Sequence, residues 1–585
     1  MIRDDLARAL AEAVAAAAPA LGLDPADLPA WDLTRPRQKE HGDWTTNLGL
    51  ALAPKAGRTP RSVAEAVVEH LRAGGPGRDL IASVEVAGPG FINIHLKGAW
   101  LHDVLRAILE RGPAYGSREE SRGLRVQVEF VSANPTGPLH VGTARNAVIG
   151  DALANVLAAD GWDVEREYYW NDTGTQMENL GASIEARYLQ RLGVDAPFPE
   201  SGYQGAYVGD LAEEIAAEAG ERWIRADPEE RRRFFLDEGR RRMIANVRST
   251  LERFGVSFDT WFSEGSLGPS GAIDAAVARL RQAGHVYEAE GATFFRATAF
   301  GDDKDRVLIR SNGEPTYFAK DVAYLIDTFG RDFDRLVYVW GADHHGAVAR
   351  LRGAAQALGY DPSSVDFVVY QLVSLYRGGE PVRMSKRTGD VVTLDELLDE
   401  VGPDAARYTL AARSSDSPID FDIEVVTRQS MDNPVFYVQY AHARIASVLR
   451  VAAERRVELR SWTPATFEEL TEEAELDLLR KLAELPEVVE QAAELSAPNR
   501  ITRFAEEAAT AFHRFYTECR VISEDDARTQ ARLWLSAGAK RALANALGLL
   551  GVSAPESMER LGGDGDSAPD AGDGPSTPAA DPGGD

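Results

Sequence analysis

Glu129-Phe130-Val131-Ser132-Ala133-Asn134-Pro135-Thr136-Gly137-Pro138-Leu139-His140-Val141-Gly142-Thr143-Ala144-Arg145 lies between two periodic segments, and this placement decides the fold. Ahead of it, Leu124, Val126, Val128 and Phe130 alternate with polar residues, the period of a strand. Behind the Pro- and Gly-rich loop, the pattern predicts a helix from about Val141 to Asp160 and a second strand from Val164 to Tyr169. Strand, helix and strand in this order form a βαβ unit, which predicts a parallel, doubly wound sheet. Ligands of such sheets bind beyond the carboxyl ends of the strands, where this loop lies. The loop also opens a helix whose free N–H groups favour anions. Gly142 has no side chain to keep a ligand away from the backbone.

Outward from this unit, Leu336 to Val339 reads as a later buried strand, ending at Gly341-Ala342-Asp343-His344-His345. Residues 175–250 are charged and helical in pattern, an insertion into the α/β domain, which is placed at 113–430. Residues 1–112 are predicted to form a separate small α/β domain. It opens with a helix, and Val84-Glu85-Val86 and Phe91 to Leu96 alternate about Gly88-Pro89-Gly90, reading as strand, turn, strand. From 431 to 561 apolar residues recur at helical spacing, through Leu478-Leu479-Leu482, Phe512-Phe515 and Leu533 to Leu550, which predicts a helical bundle. The fold class is therefore α/β joined to all-α. Residues 562–585 carry no basic or aromatic residue and are predicted to be a disordered acidic tail.

Composition narrows the function classes. The chain has 585 residues and a net charge of −28, from 64 basic and 92 acidic residues. Such an acidic balance argues against non-specific nucleic-acid binding, unless basic groups cluster. Arg231-Arg232-Arg233 and Arg240-Arg241-Arg242 are the candidate clusters, and a solvated helix face is the competing reading. The single cysteine, Cys519, excludes an internal disulfide and a multi-cysteine zinc site; a buried structural thiol on a helix is expected. The uncharged run Ala13 to Leu23 has only eleven residues and follows Asp4, Asp5 and Glu12, which does not suit a secretory leader. A cytoplasmic protein with no membrane segment is expected.

The Ser-Ala-Asn-Pro-Thr-Gly-Pro-Leu-His-Val-Gly-x-Ala-Arg-Asn segment, with Arg383-Met384-Ser385-Lys386-Arg387 far downstream, resembles the paired nucleotide-binding signatures of class I aminoacyl-tRNA synthetases, and of arginyl-tRNA synthetases in particular. His41-Gly42-Asp43-Trp44-Thr45-Thr46-Asn47 and Gly-Pro-Gly-Phe-Ile-Asn resemble that family's additional N-terminal tRNA-binding domain. Asn433-Pro434-Val435-Phe436-Tyr437-Val438-Gln439-Tyr440-Ala441-His442-Ala443-Arg444 resembles the start of its anticodon-binding helical domain.

The resemblance implies that L-arginine is activated by ATP, with Mg²⁺ on the phosphates, and transferred to the terminal adenosine of tRNA(Arg). It also implies that tRNA must be bound before activation. ATP would be held by His140, Gly142, Thr143, Asp343, His344, Met384, Ser385 and Lys386, with His140 and Lys386 as the catalytic pair and Lys386 on the β and γ phosphates. Glu129, Ser132 and Asn134 match the positions expected at the ammonium and carboxylate of arginine, and Tyr317 and Asp321 those expected at its guanidinium. At i and i+4 these two share one helical face. The expected partners are tRNA(Arg), ATP and L-arginine, the expected state is a monomer, and no zinc is expected. Two departures stand out. Thr143 replaces the usual second histidine of His-x-Gly-His, and Arg383 and Arg387 replace the usual first lysine and final serine. Thr143 supplies a hydroxyl and no charge, so Lys386 or Arg145 is a candidate to carry more of the phosphate contact. A non-catalytic tRNA-binding paralogue and a class I synthetase for another amino acid are the competing readings. Of the latter, a cysteine enzyme would need a thiolate-rich zinc site.

Overall fold

The computed structural model describes residues 2–558 except 37, 74–79 and 383–391. The Met-Ser-Lys segment and the acidic tail lie outside the described residues.

The chain forms two compact units. The larger comprises Arg111–Leu459, Glu484–Ile522 and Ser536–Asp585. At its centre is a five-stranded, all-parallel sheet with the spatial order Val365–Tyr370, Arg335–Gly341, Arg125–Glu129, Asp163–Trp170, Thr260–Ser263. Arg125–Glu129 is the central strand. Its Val126 and Val128 are fully buried, as expected of a parallel sheet covered on both faces. The helix behind the signature loop, Val141–Ala159, is buried on nearly every side, so it packs as a core element and not as an amphipathic surface helix. Gly150 makes the close fit to the first strand possible. A Cβ there would lie 2.2 Å from the Phe130 ring.

The sequence expected strands from Leu124 to Phe130 and from Val164 to Tyr169; the sheet uses Arg125–Glu129 and Asp163–Trp170. The fifth strand, Thr260–Ser263, was not expected. It is too short to show a period of two.

Between the strands Asp163–Trp170 and Thr260–Ser263 stand three helices, Thr175–Arg191, Ala206–Ala219 and Pro228–Arg253. They enclose a core of their own built on Leu180, Ile184, Val208, Ile215, Phe235 and Met243. The charged faces of this insertion are internally paired. Arg231 meets Glu185 at 2.6 Å, Arg240 meets Asp237 at 2.9 Å, and Arg242 is bound by Glu214, Glu218 and Glu238. These members of the two arginine clusters are neutralised by the insertion's own carboxylates, in line with the solvated-face reading. A three-stranded antiparallel sheet, in the order Arg306–Ile309, Ala292–Phe295, Val286–Ala289, precedes the helix Tyr317–Phe329. The helices Pro434–Glu454, Leu485–Glu494 and Asn499–Glu518 follow in this unit. Cys519 caps the last of these and is buried.

The smaller unit joins Met1–Glu110 with Arg460–Ala483 and Ser523–Leu535. Its antiparallel sheet has the order Leu33–Thr34, Trp44–Thr46, Phe91–Leu96, Ile81–Ala87. Within it, the first 110 residues meet the helical segments directly. The His102 ring lies 3.4 Å from the Leu470 carbonyl, and Arg480 lies 3.7 Å from Asp43.

Candidate active site

All the candidate residues that the structure describes lie in the larger unit; Glu129 to Thr143 and Asp343 to His344 stand at or follow the carboxyl ends of parallel strands, and Tyr317 and Asp321 stand on the helix Tyr317–Phe329. The central strand ends at Glu129. The chain then turns through two residues with positive φ, Val131 at 66° and Ser132 at 41°. The left-handed region is unfavourable for a β-branched residue by roughly 1–2 kcal/mol, so the surroundings must hold it. They do. The Val131 N–H donates to Asn146 Oδ1 at 2.6 Å, and Asn146 Nδ2 donates to the Val339 carbonyl at 2.8 Å. Ser132 Oγ donates to Glu129 Oε1 at 2.8 Å and accepts from the Tyr169 N–H at 3.2 Å. Asn134 Nδ2 donates to Gln176 Oε1 at 2.5 Å. The strained turn thus folds Ser132 back over Glu129.

His140 is the N-cap of the Val141–Ala159 helix. Its ring lies against Gly142, where a Cβ would come within 3.1 Å of the imidazole. Gly142 therefore makes room for the His140 ring as well as for a ligand. His140 also bridges to Thr393, and the Leu394 N–H donates to the Leu139 carbonyl at 2.7 Å. Thr143 is buried in the first turn, and its N–H donates to the His140 carbonyl at 2.9 Å. Arg145, the candidate substitute cation, is fully buried and turned elsewhere. Its guanidinium donates to the carbonyls of Gln371 at 2.6 Å and Ser414 at 2.9 Å. It joins the signature helix to the segments on either side of the second signature, so its guanidinium is held by backbone carbonyls.

Tyr317 and Asp321 share the helix Tyr317–Phe329, which Thr316 caps by accepting from the Ala319 N–H at 3.3 Å. Tyr317 is 63% exposed. Asp321 is open to solvent by surface area yet densely surrounded by protein, as on the wall of an open recess. Asp343 and His344 form a short turn at the end of the Arg335–Gly341 strand, with the His344 ring 5.8 Å from that of Trp340. Both are exposed.

Electrostatically the recess is short of cations. Burial, reinforced by repulsion from Glu167 and Asp321, pushes the Glu129 carboxyl up to about 8, against the opposing hydrogen bond from Ser132. Asp321 is pushed up to about 7, chiefly by desolvation and then by Glu264, with Arg350 and Lys320 opposing. Glu167 is fully buried but has a cation, Arg331 at 2.6 Å, and accepts from the Tyr324 hydroxyl at 2.8 Å. Carboxyls that burial inclines toward the proton are stabilised in their ionised form by a cationic ligand.

Four contributors were not singled out from sequence: Asn146, Tyr169, Glu167 and Glu264. A signal existed for Glu264, which follows immediately after a parallel strand; that strand went unread. For Asn146 the signal was its place in the quoted loop-helix segment. The inward direction of Glu167 and Tyr169 follows from sheet register, which sequence alone does not supply.

A parallel sheet with the signature loop at its carboxyl edge and a helix opening at His140 is the catalytic fold of class I aminoacyl-tRNA synthetases. Three family models match the chain: Arginyl tRNA synthetase N terminal domain over residues 1–96, tRNA synthetases class I (R), catalytic domain over 104–432, and DALR anticodon binding domain over 438–558. The arginine–tRNA ligase of Moorella thermoacetica is 50% identical, over 94% of this chain and 98% of its own length. That of Desulforudis audaxviator is 51% identical, over 95% and 99%. The structure of Thermus thermophilus arginyl-tRNA synthetase superposes with a TM-score of 0.74 at 25% identity, covering 95% of this chain and 100% of that one. The chain belongs to the arginyl-tRNA synthetase family.

Proposed function

We propose that the chain carries out the family's reaction with the residues gathered at the carboxyl edge of its parallel sheet. The reaction joins arginine and ATP into arginyl-adenylate and transfers the arginyl group to the 3′-terminal adenosine of tRNA. The observation that supports this site most is the pair of carboxyls, Glu129 and Asp321, which burial makes costly to ionise without a cationic ligand.

In this reading Asp321 accepts the planar fork of the guanidinium, which an ammonium cannot reproduce, and Tyr317 lines it. Glu129, with Ser132 and Asn134, takes the ammonium and carboxylate of arginine. ATP lies over the amino end of the Val141–Ala159 helix, where N–H groups favour phosphate. His140, Gly142 and Thr143 approach it from that helix, Asp343 and His344 from the neighbouring strand end, and Met384, Ser385 and Lys386 belong to the second signature. Mg²⁺ enters with ATP on its phosphates and water. No general base is required: the carboxylate of arginine attacks the α-phosphate, and catalysis consists of alignment and stabilisation of charge on the departing pyrophosphate.

The domain reading follows. Residues 1–112 and 431–561 contact tRNA, residues 113–430 carry the chemistry with an insertion at about 175–250, and 562–585 is an acidic extension. The protein acts as a cytoplasmic monomer. Among the described residues no helix is long and apolar enough to cross a membrane. The test is a charging screen on total tRNA with purified protein. Arginine is the expected amino acid. Preference for cysteine, glutamate or lysine overturns the substrate assignment, and absence of any adenylate favours the non-catalytic alternative.

A further inference from the structure

The signature loop supplies few donors for its own backbone, since Pro135 and Pro138 carry no N–H. Within the loop, the Asn134 carbonyl accepts from the Thr136 N–H at 2.8 Å. Other carbonyls accept from outside it: Ala133 from the Tyr168 hydroxyl at 2.9 Å, Thr136 from the Tyr207 hydroxyl at 2.6 Å, and Leu139 from the Leu394 N–H at 2.7 Å. Tyr168 belongs to the parallel sheet, and Leu394 follows the second signature. Tyr207 belongs to the helical insertion, at the start of Ala206–Ala219. A second insertion helix reaches the same loop, where Gln176 Oε1 accepts from Asn134 Nδ2 at 2.5 Å. The Tyr207 ring is seated between two glycines. A Cβ at Gly205 would lie 2.5 Å from the ring's Cε1, and a Cβ at Gly137 would lie 3.2 Å from its hydroxyl oxygen. The backbone at Gly137 is not left-handed, so the turn does not demand glycine there; the approach of Tyr207 gives it a use. Behind Tyr207, Val208, Ala212 and Ile215 of the same helix are buried in the insertion's own core. The hydroxyl is therefore presented by a packed helical module and not by a free loop.

We propose that Tyr207 is a positioning residue for arginine activation, through which the helical insertion fixes the Thr136–Gly137 segment of the signature loop. This rests on the arginine reading above. The contact falls between the residues proposed for arginine, Glu129 to Asn134, and those proposed for the nucleotide, His140 to Thr143. Its effect is on how the two sets stand to one another. Alignment enters the barrier directly, and a displacement of about 1 Å far from the reacting atoms is enough to slow a reaction severely. An interaction that aligns substrates already bound lowers kcat when it is lost and leaves KM nearly unchanged. A contact that serves only the packing of the insertion lowers the melting temperature and leaves kcat alone.

The test compares the full-length wild type with Tyr207→Phe, Gly137→Ala and the double variant. Arginyl-adenylate formation is followed in single turnovers with tRNA present, with arginine and ATP varied in turn. Tyr207→Phe keeps the ring and removes the hydroxyl. It should lower the maximal rate by about three- to tenfold, the loss of one neutral hydrogen bond. The half-saturating concentrations of arginine and ATP should stay within about twofold of wild type. Gly137→Ala should give a similar loss, because its methyl group displaces the tyrosine hydroxyl. In the double variant that oxygen is gone, and the methyl meets the ring carbon that bore it at 3.4 Å, an ordinary contact. Its defect should therefore be no larger than that of Tyr207→Phe alone. Hydrogen exchange of the backbone amides in residues 131–143 should quicken in both single variants, at an unchanged melting temperature. A double variant whose defect is the product of the two single ones overturns the shared contact. A wild-type rate in Tyr207→Phe, or a loss confined to melting temperature, overturns the positioning role. A wild type that forms no arginyl-adenylate overturns the arginine reading and the kinetic role with it, and unchanged exchange at 131–143 in Tyr207→Phe then overturns the hold on the loop as well.

Discussion

Replacing Asp321 by asparagine keeps the shape of the side chain and removes its charge. The structure makes the consequence specific. Asp321 faces the recess with no partner among the described residues, so nothing inside the protein loses a hydrogen bond. Glu264 already accepts from Lys320, Tyr169 and Thr173. The loss is then one charge-assisted interaction with substrate, about 1.5–3 kcal/mol, or roughly ten- to a hundred-fold in kcat/KM for arginine. KM for ATP should change little, since the residues proposed for the nucleotide lie on other elements. A second consequence is independent of the first. Asp321 is one of the charges that raise the Glu129 carboxyl, so the variant's remaining acid limb should move to lower pH. Aminoacylation measured against varied arginine and varied ATP, at several pH values, reads both effects. Unchanged arginine kinetics would make Asp321 an ordinary surface carboxylate and refute the site.

The pH dependence of the wild type has a definite sign. Glu129 and Asp321 are raised to about 8 and about 7, and a bound cation favours their ionised forms, so arginine binding should expel protons. KM for arginine should fall as pH rises through this range, and calorimetry in buffers of different ionisation enthalpy should register proton release; a flat KM and no release would contradict it. In single-turnover adenylate formation with tRNA present, His140→Ala and Lys386→Ala should each be slowed by on the order of ten- to a thousand-fold, and Thr143→Ala by no more than about tenfold, the loss of a neutral hydrogen bond. A Thr143→Ala defect equal to that of Lys386→Ala would show that the buried hydroxyl carries more than this. ATP–pyrophosphate exchange with arginine should stay near background until cognate tRNA is added, and robust exchange without tRNA would show that activation is independent of it.

What was legible in the sequence followed from local periodicity. The alternation from Leu124 to Phe130 and the helical run behind His140 are each set by neighbours a few residues apart, and the structure has both, shifted by one residue at some ends. The pairing of Tyr317 with Asp321 was legible for the same reason, since i and i+4 share a helical face. What was not legible depends on distant segments meeting. Arg145 is close in sequence to His140, yet its partners are carbonyls of Gln371 and Ser414, so its structural employment could not be read from its position. Glu264 and Lys320 stand fifty-six positions apart, and their ion pair is visible only in the fold. The inversion of φ at Val131 and Ser132 was equally hidden. No glycine marks the turn, because the restraint is supplied by Asn146 from the following helix.

In the proposed reading, that restraint lets one short loop serve two ligands of opposite charge. At its carboxyl-terminal end, His140 opens a helix whose N–H groups favour phosphate. At its amino-terminal end, Glu129 is buried with its carboxyl held by Ser132 and favours a cation. The reacting pair, the carboxylate of arginine and the α-phosphate of ATP, must meet between them. Both are anionic, and their approach is unfavourable in water. Fixing each molecule by its far end, the guanidinium and ammonium on carboxylates and the phosphates on the helix terminus, spends binding energy away from the reacting atoms on bringing those atoms together. This scheme fails if the distance between the two ends can vary. The strained Val131–Ser132 turn, tied by Asn146 to both the loop and the Val339 carbonyl, fixes that distance. Asn146→Ala should therefore lower kcat more than it raises KM for either small substrate.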